Sequence, residues 1–210
     1  MTAATSLIAV MLASTAVFQS TPAVTQSADE LVQALRQFPA AIPGIAPSNG
    51  VLPPNERLRR EIYDRLWSLG SVAVPALCRG LSDPDVQVRR NVALFLGVAG
   101  GDWYDRGRPR LAIEGCVPAL VGALADSDGR VKELAAQAIG ATGAAGVPAV
   151  PALIGLLSSP NEGERNTACI GLIGIGPSAK AALPALKTAL SDPSAAVQRF
   201  AQRAIEVIDQ

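Results

Sequence analysis

Apolar residues recur at every fourth position in several stretches of the chain, and short turns rich in Asp, Ser and Pro separate these stretches. Because an α-helix turns once in 3.6 residues, a step of four keeps the apolar side chains on one helical face. The pattern therefore predicts amphipathic helices, each with one buried face. Their apolar positions are Val88, Val92 and Leu96; Val131, Ala135 and Ile139; Ala168 and Leu172, with Glu164 in the first slot; and Val197, Ala201 and Ile205.

A Pro-Ala-Leu tripeptide precedes each of these helices, at 75–77, 118–120, 151–153 and 184–186, so that successive copies lie 43, 33 and 33 residues apart. Proline suits the first turn of a helix, where its missing N–H leaves no hydrogen bond unmade. The sequence thus predicts a short first helix before each longer second helix. Recurrence at a nearly fixed period indicates a stack of helical pairs.

The turns and glycines mark where the second helices begin and end. Asp83, Asp126 and Asp192 occupy one position of the repeat, and we expect them to be N-caps rather than acid–base residues. Glycine favours the end of a helix. The glycines expected to end second helices are Gly140 and Gly143 in one repeat and Gly171 and Gly176 in the next.

A further copy of the repeat lies upstream, with Leu58, Ile62 and Leu66 in the apolar slots and Pro54 ahead of them. Its first helix is predicted at 28–38, followed by an irregular connection rich in Pro, Gly and Ala. The predicted repeat domain spans 24–210. Its repeats lie at about 28–70, 71–99, 114–146, 147–179 and 180–208, with an insertion at 100–113.

Taken together, the Val-Pro-Ala-Leu, Asp-Pro and Val-Arg segments resemble the HEAT-repeat superfamily, especially the short HEAT-like repeats of phycobilisome lyases. The resemblance implies an all-α fold, a right-handed α-solenoid of about five helical-pair repeats. It also implies that the basic residue after the valine forms hydrogen bonds between repeats. That position is occupied by Arg59, Arg89, Lys132, Arg165 and, in the last copy, Gln198.

Composition narrows the chemistry that the chain can perform. Histidine is absent, and 18 basic residues balance 18 acidic ones. Ser-His and Cys-His nucleophiles are therefore excluded. Cys78, Cys116 and Cys169 have no Cys-x-x-Cys spacing, are too few for a disulfide framework and share repeat positions mainly with small or apolar residues. We predict that they are structural thiols, and we expect no catalytic residue, metal or cofactor.

An uncharged apolar run, Ser6 to Phe18, opens the chain, and Thr21 and Ala23 follow with the spacing of a signal-peptidase site. This pattern predicts a signal peptide at 1–23 and export to the periplasm or the cell exterior. The run lacks the preceding Lys or Arg that a signal peptide usually carries. It is also short for a membrane-spanning helix, so no stable membrane insertion is expected after cleavage.

Two features of the sequence lie outside the repeat packing. The insertion carries Trp103, Tyr104, Arg106, Arg108 and Arg110, residue types that are enriched at binding hot spots. The alternative is that Trp103 folds back over neighbouring helix ends. The other feature is a predicted exposed stripe on the second helices, which is either a partner-binding row or a solvated face. Its members are Arg60 and Asp64, Arg90 and Leu94, Glu133 and Gln137, Asn166 and Ile170, and Arg199 and Arg203.

These features favour a non-enzymatic scaffold that binds a protein or peptide through the concave helix face and the 100–110 loop. The resemblance implies an alternative, a lyase-type subunit that acts on a tetrapyrrole-carrying protein. Nucleic-acid binding is a third hypothesis, since residues 57–110 hold ten basic and six acidic side chains. The alternating charges along the stripe argue against a nucleic-acid track.

Overall fold

The computed structural model describes residues 26–39, 54–101 and 108–210, and within them the chain forms an all-α solenoid of five helical pairs. The predicted fold is confirmed. The predicted signal peptide and most of the connection at 39–53 lie outside the described residues. The pairs are α1 (Ala28–Ala34) with α2 (Pro54–Leu69), α3 (Val74–Gly80) with α4 (Val86–Gly100), α5 (Val117–Ala123) with α6 (Gly129–Ala141), α7 (Val150–Leu156) with α8 (Glu162–Ile175), and α9 (Leu183–Ala189) with α10 (Ala195–Ile208).

The second helices pack side by side, and two of them cross at glycine. A Cβ atom built on Gly174 of α8 would lie 2.3 Å from the Cα atom of Gly140 in α6. Only glycine permits this approach of the two backbones. Gly140 lies within α6 and Gly171 lies within α8, so the prediction that these two glycines end helices is wrong.

The other two glycines end second helices as predicted. Gly143 and Gly176 have φ values of 58° and 70°, the left-handed region that a side chain disfavours. Gly176 also interrupts the segment Glu162–Ala189, which is long and apolar enough to span a membrane by length and composition alone. In the structure this segment comprises α8, a 3-10 turn and α9, which belong to two successive repeats.

The N-caps of the second helices lie two residues later than predicted. Asp85, Asp128, Asn161 and Ser194 accept the free backbone N–H groups of α4, α6, α8 and α10. The carboxylates assigned as caps, Asp83, Asp126 and Asp192, instead accept the backbone N–H of the capping residue itself. They shape the turn, because a short side chain can bond the backbone two residues on.

Candidate partner-binding surface

The second half of the insertion folds onto the solenoid. Arg108 donates to the Asp64 carboxylate at 2.7 Å, and its guanidinium lies 5.3 Å from the centre of the Trp67 ring. The Trp67 indole N–H donates to the Pro109 carbonyl at 3.0 Å. Arg108 therefore has a structural role in holding the insertion against α2, and Asp64 is occupied by that contact.

The insertion then packs against the C-terminal end of α4. The Leu111 N–H donates to the Ala99 carbonyl at 2.9 Å, and Ile113 packs so close to Gly100 that a Cβ atom there would lie 2.5 Å from its side chain. Every residue from Asn91 to Gly100 is buried. Leu94 is only 3% exposed, so its predicted place in an exposed stripe is wrong.

The remaining insertion residues divide into two groups. Arg110 donates to the Ala141 carbonyl at the end of α6 at 2.6 Å, so the insertion reaches from the first repeat to the third. Trp103, Tyr104 and Arg106 lie outside the described residues, and their predicted binding role stays a prediction.

Beyond the insertion, the faces of α6, α8 and α10 turned away from the first helices remain accessible. In a HEAT-like stack this is the concave face. We call its accessible residues the open concave surface: Glu133, Gln137, Asn166, Ile170, Arg199 and Arg203. Of the other stripe residues, Arg90 is held by Asp128 at 2.9 Å, and Arg60 is exposed on α2.

The middle of the open concave surface has two side chains that the fold does not use. The Asn166 Oδ1 atom is buried without a hydrogen-bond partner among the described residues. Ile170, one helical turn later, is half-buried, yet it does not belong to the apolar core. The amide N–H group of the same side chain is accessible and has no acceptor in the described residues, so it can donate to a ligand.

The charged residues of the open concave surface differ in how they are neutralised. Arg130 donates to Glu133 at 2.7 Å, and Gln137 also contacts that carboxylate, so this acidic group is already paired. Arg203 lies 3.7 Å from Glu206, and both side chains are at least half exposed. Arg199 is exposed and has no partner in the described part of the chain.

A different edge of the solenoid holds the repeats together. Arg89 binds Asp126 of the next repeat with both ends of its guanidinium fork, at 2.7 and 3.1 Å, and Arg165 binds Asp192 in the same way. Lys132 pairs with Glu164, which explains a carboxylate in an apolar slot. The predicted contacts between repeats are thus present for these three basic residues.

The first and last members of this column behave differently. Arg59, only 2% exposed, pairs with Glu56 and donates to the Pro39 carbonyl within its own repeat. Gln198 donates to the Asp192 carbonyl of its own turn. For Arg59 the predicted contact between repeats is wrong, and Gln198 is the copy in which the basic residue is replaced.

These pairs also shift the acidity of their carboxylates. Burial acts to raise the pKa of Asp126, but hydrogen bonds from Arg89 and the Asp128 N–H outweigh it and lower the pKa. The hydrogen bond from Arg165 lowers the pKa of Asp192. Both groups stay ionised at neutral pH, and this position in the repeat is structural.

The cysteines depart from the prediction of three thiols. Cys78 of α3 and Cys116, just before α5, form a disulfide between the second and third repeats, with Cα atoms 5.0 Å apart. Cys169 is a buried free thiol, as predicted, and burial raises its pKa to about 11. A thiol of that pKa is a weak nucleophile at neutral pH.

Comparison with solved structures shows that this architecture is shared. The complex of CpcE and CpcF of phycocyanin lyase from Nostoc is 26% identical, with a TM-score of 0.53 over 90% of this chain and 68% of that chain. An engineered protein is 24% identical, with a TM-score of 0.54 over 89% and 93% of the two chains. A computationally designed armadillo repeat protein for modular peptide recognition is 22% identical, with a TM-score of 0.56 over 85% and 81%. No protein-family model and no curated protein matches the chain.

Proposed function

We propose that this chain, a HEAT/armadillo-like helical-repeat protein, is a non-enzymatic scaffold that holds a protein or peptide partner on its open concave surface. The observation that carries the proposal is the pair of side chains at the middle of that surface. Asn166 has an accessible side-chain N–H group without an acceptor in the described residues, and Ile170 lies outside the core. Both features suit a site that a partner completes.

The distribution of the other polar groups supports a binding role over catalysis. The carboxylates at the turns are engaged by Arg89 and Arg165, and Cys169 is buried with a raised pKa. In the described residues, no three Cys, Asp or Glu side chains come together in a group able to hold a metal ion. The designed relative named above recognises peptides with the same fold.

Capture of the partner from extracts of the native host tests this function. We expect immobilised wild-type protein to retain a partner that an Asn166→Ala/Ile170→Glu variant loses, because that variant removes the side-chain N–H donor and charges the apolar position. The control is Lys187→Glu, a charge change at an exposed position on α9. Retention of the same partner by the Asn166→Ala/Ile170→Glu variant, with unchanged melting temperature, would refute the proposal.

We further propose that the protein works outside the reducing cytoplasm. Disulfides persist in oxidising compartments, and the Cys78–Cys116 bond supports the same location as the apolar run Ser6 to Phe18. Sequencing the N-terminus of the protein from its native host tests this location. Export predicts a chain that begins at Val24.

The likeness to the phycocyanin lyase complex favours a second candidate function, that of a lyase-type subunit acting on a tetrapyrrole-carrying protein. Under this alternative, mixing the protein with bilin and apoprotein changes the bilin absorbance. An unchanged spectrum would dispose of the alternative and leave the scaffold proposal standing.

A further inference from the structure

We propose that the occupant of the open concave surface is an extended acidic segment of a partner protein, with aliphatic residues among its carboxylates. This inference rests on the proposed function and specifies the chemistry of the partner. It is drawn from the charges that remain after the contacts within the fold are assigned.

The open concave surface is basic at its α10 end, where Arg199 and Arg203 are exposed. Its acidic member, Glu133, is neutralised by Arg130 at 2.7 Å and contacted by Gln137. The exposed carboxylate of Glu162, at the start of α8, accepts the Ser194 hydroxyl at 2.6 Å and keeps its negative charge. The guanidinium of Arg199 is exposed without a partner in the described residues, and that of Arg203 lies 3.7 Å from an exposed Glu206.

The spacing of the two arginines fits a carboxylate-bearing chain. Arg199 and Arg203 are four residues apart on α10, so they project from one face in successive helical turns. Guanidinium groups bind carboxylates through paired N–H donors. Complementary charge is therefore supplied by Asp or Glu residues of the partner.

The adjacent helix supplies the rest of the recognition. Ile170 on α8 presents an apolar side chain outside the core, which suits an aliphatic residue of the partner. The accessible amide N–H of Asn166 suits a carbonyl or carboxylate oxygen of the partner. The combination of carboxylates, an aliphatic side chain and a backbone or side-chain acceptor describes an acidic peptide.

A nucleic acid is less well suited to this surface, although it is also anionic. Its phosphates form a regular track, which a protein meets with a row of several cations. Here the row along α6, α8 and α10 reads Glu133, Asn166 and Arg199, so only its end is basic. An apolar residue beside the arginines also favours a peptide.

The test measures fluorescence anisotropy of three labelled peptides of equal length, built from the repeating triplets Glu-Glu-Leu, Gln-Gln-Leu and Lys-Lys-Leu. We expect the acidic peptide to bind most tightly, with an affinity that falls as salt is added. In Arg199→Glu/Arg203→Glu its affinity should fall roughly tenfold or more, and the basic peptide should gain affinity. The control, Lys180→Glu/Lys187→Glu, changes the net charge equally on exposed residues of the first-helix side.

Several results would overturn the inference. They are equal or tighter binding of the neutral or basic peptide to the wild type, an acidic-peptide affinity that both double variants lower equally, and no binding of any peptide. Tighter binding of duplex DNA that is lost in Arg199→Glu/Arg203→Glu would assign the surface to nucleic acid instead. The scaffold proposal stands after any of these results if the wild type captures a partner that Asn166→Ala/Ile170→Glu loses.

Discussion

At the scale of single residues, Asn91 joins the irregular first repeat to the regular ones. Its side-chain amide donates to the carbonyls of Phe38 and Gln87 at 2.8 and 2.9 Å, and Tyr63 donates to its Oδ1 atom at 3.1 Å. Asn91 is fully buried. Buried polar groups need hydrogen-bond partners. The Asn91 amide therefore supplies a donor for the Phe38 carbonyl, which follows the first helix.

Replacing Asn91 with alanine is expected to lower the free energy of unfolding by roughly 1–3 kcal/mol, because the Phe38 carbonyl loses its side-chain donor, whereas the Tyr63 hydroxyl keeps the Asn91 backbone carbonyl as an acceptor. Urea unfolding followed by circular dichroism measures the change. The matched control is Asn166→Ala, which removes an unpartnered acceptor and should leave stability within about 0.5 kcal/mol of wild type. Equal effects of the two substitutions would contradict this role for Asn91.

The residue scale also shows what the sequence could and could not predict. The bonds that Arg89 and Arg165 form between repeats were expected from the resemblance to HEAT repeats, and the period of the repeat places both residues in one column. The disulfide was missed because Cys78 and Cys116 occupy different columns. Equivalent pairs in later repeats are Val121 with Ala149 and Ile154 with Ala182, so comparing columns across adjacent repeats could have found the contact.

At the scale of helices, packing depends on how closely the second helices approach. Gly174 of α8 meets the backbone of Gly140 in α6. Gly155 of α7 also lies within a helix but has open space where its Cβ atom would be. The same residue type is thus required at one position and dispensable at the other.

We expect Gly174→Ala to destabilise the protein by about 1–3 kcal/mol, because two backbones must separate to admit the methyl group. Gly155→Ala should stabilise it by roughly 0.5–1 kcal/mol, since alanine loses less backbone entropy than glycine in a helix. Chemical unfolding of both variants decides between the two signs. A neutral or stabilising Gly174→Ala would show that the helices do not cross as described.

At the same scale, the path of the insertion could not be predicted from the period of the repeat. Its sequence suggested either a binding loop or a plug, and the described half packs as a plug on α2 and α4 through Arg108 and Leu111. Such contacts join residues far apart in the chain and have no counterpart in other repeats. The stripe residues that form the open concave surface therefore lie in the third, fourth and fifth repeats, and Arg60 is exposed apart from them on α2.

At the scale of the whole molecule, the Cys78–Cys116 bond ties the second repeat to the third and encloses the insertion, with a sequence separation of 38 between the two cysteines. A solenoid repeat contacts only its neighbours, so a weak junction would divide the stack. The disulfide strengthens the junction at which successive Pro-Ala-Leu copies lie 43 residues apart instead of 33.

Protein purified from its native host and unfolded without reductant is expected to show one free thiol, and none in Cys169→Ala. Replacing Cys78 and Cys116 with alanine should lower the free energy of unfolding by about 4 kcal/mol, from the entropy of the loop that the bond closes. That loss corresponds to a fall in melting temperature of roughly 10 °C. Three reactive thiols in the unfolded protein from the native host would contradict both the Cys78–Cys116 bond and the proposed compartment.

If the protein is a scaffold of this kind, its partner contacts the open concave surface of the solenoid. A photo-crosslinking amino acid placed at Ile170 on α8 reports on the open concave surface, and one placed at the exposed Gly122 on α5 reports on the opposite side. After irradiation in the native host, we expect a specific partner crosslinked to position 170 and none crosslinked to position 122. A partner crosslinked from position 122 alone, or equally from both positions, would contradict the scaffold proposal.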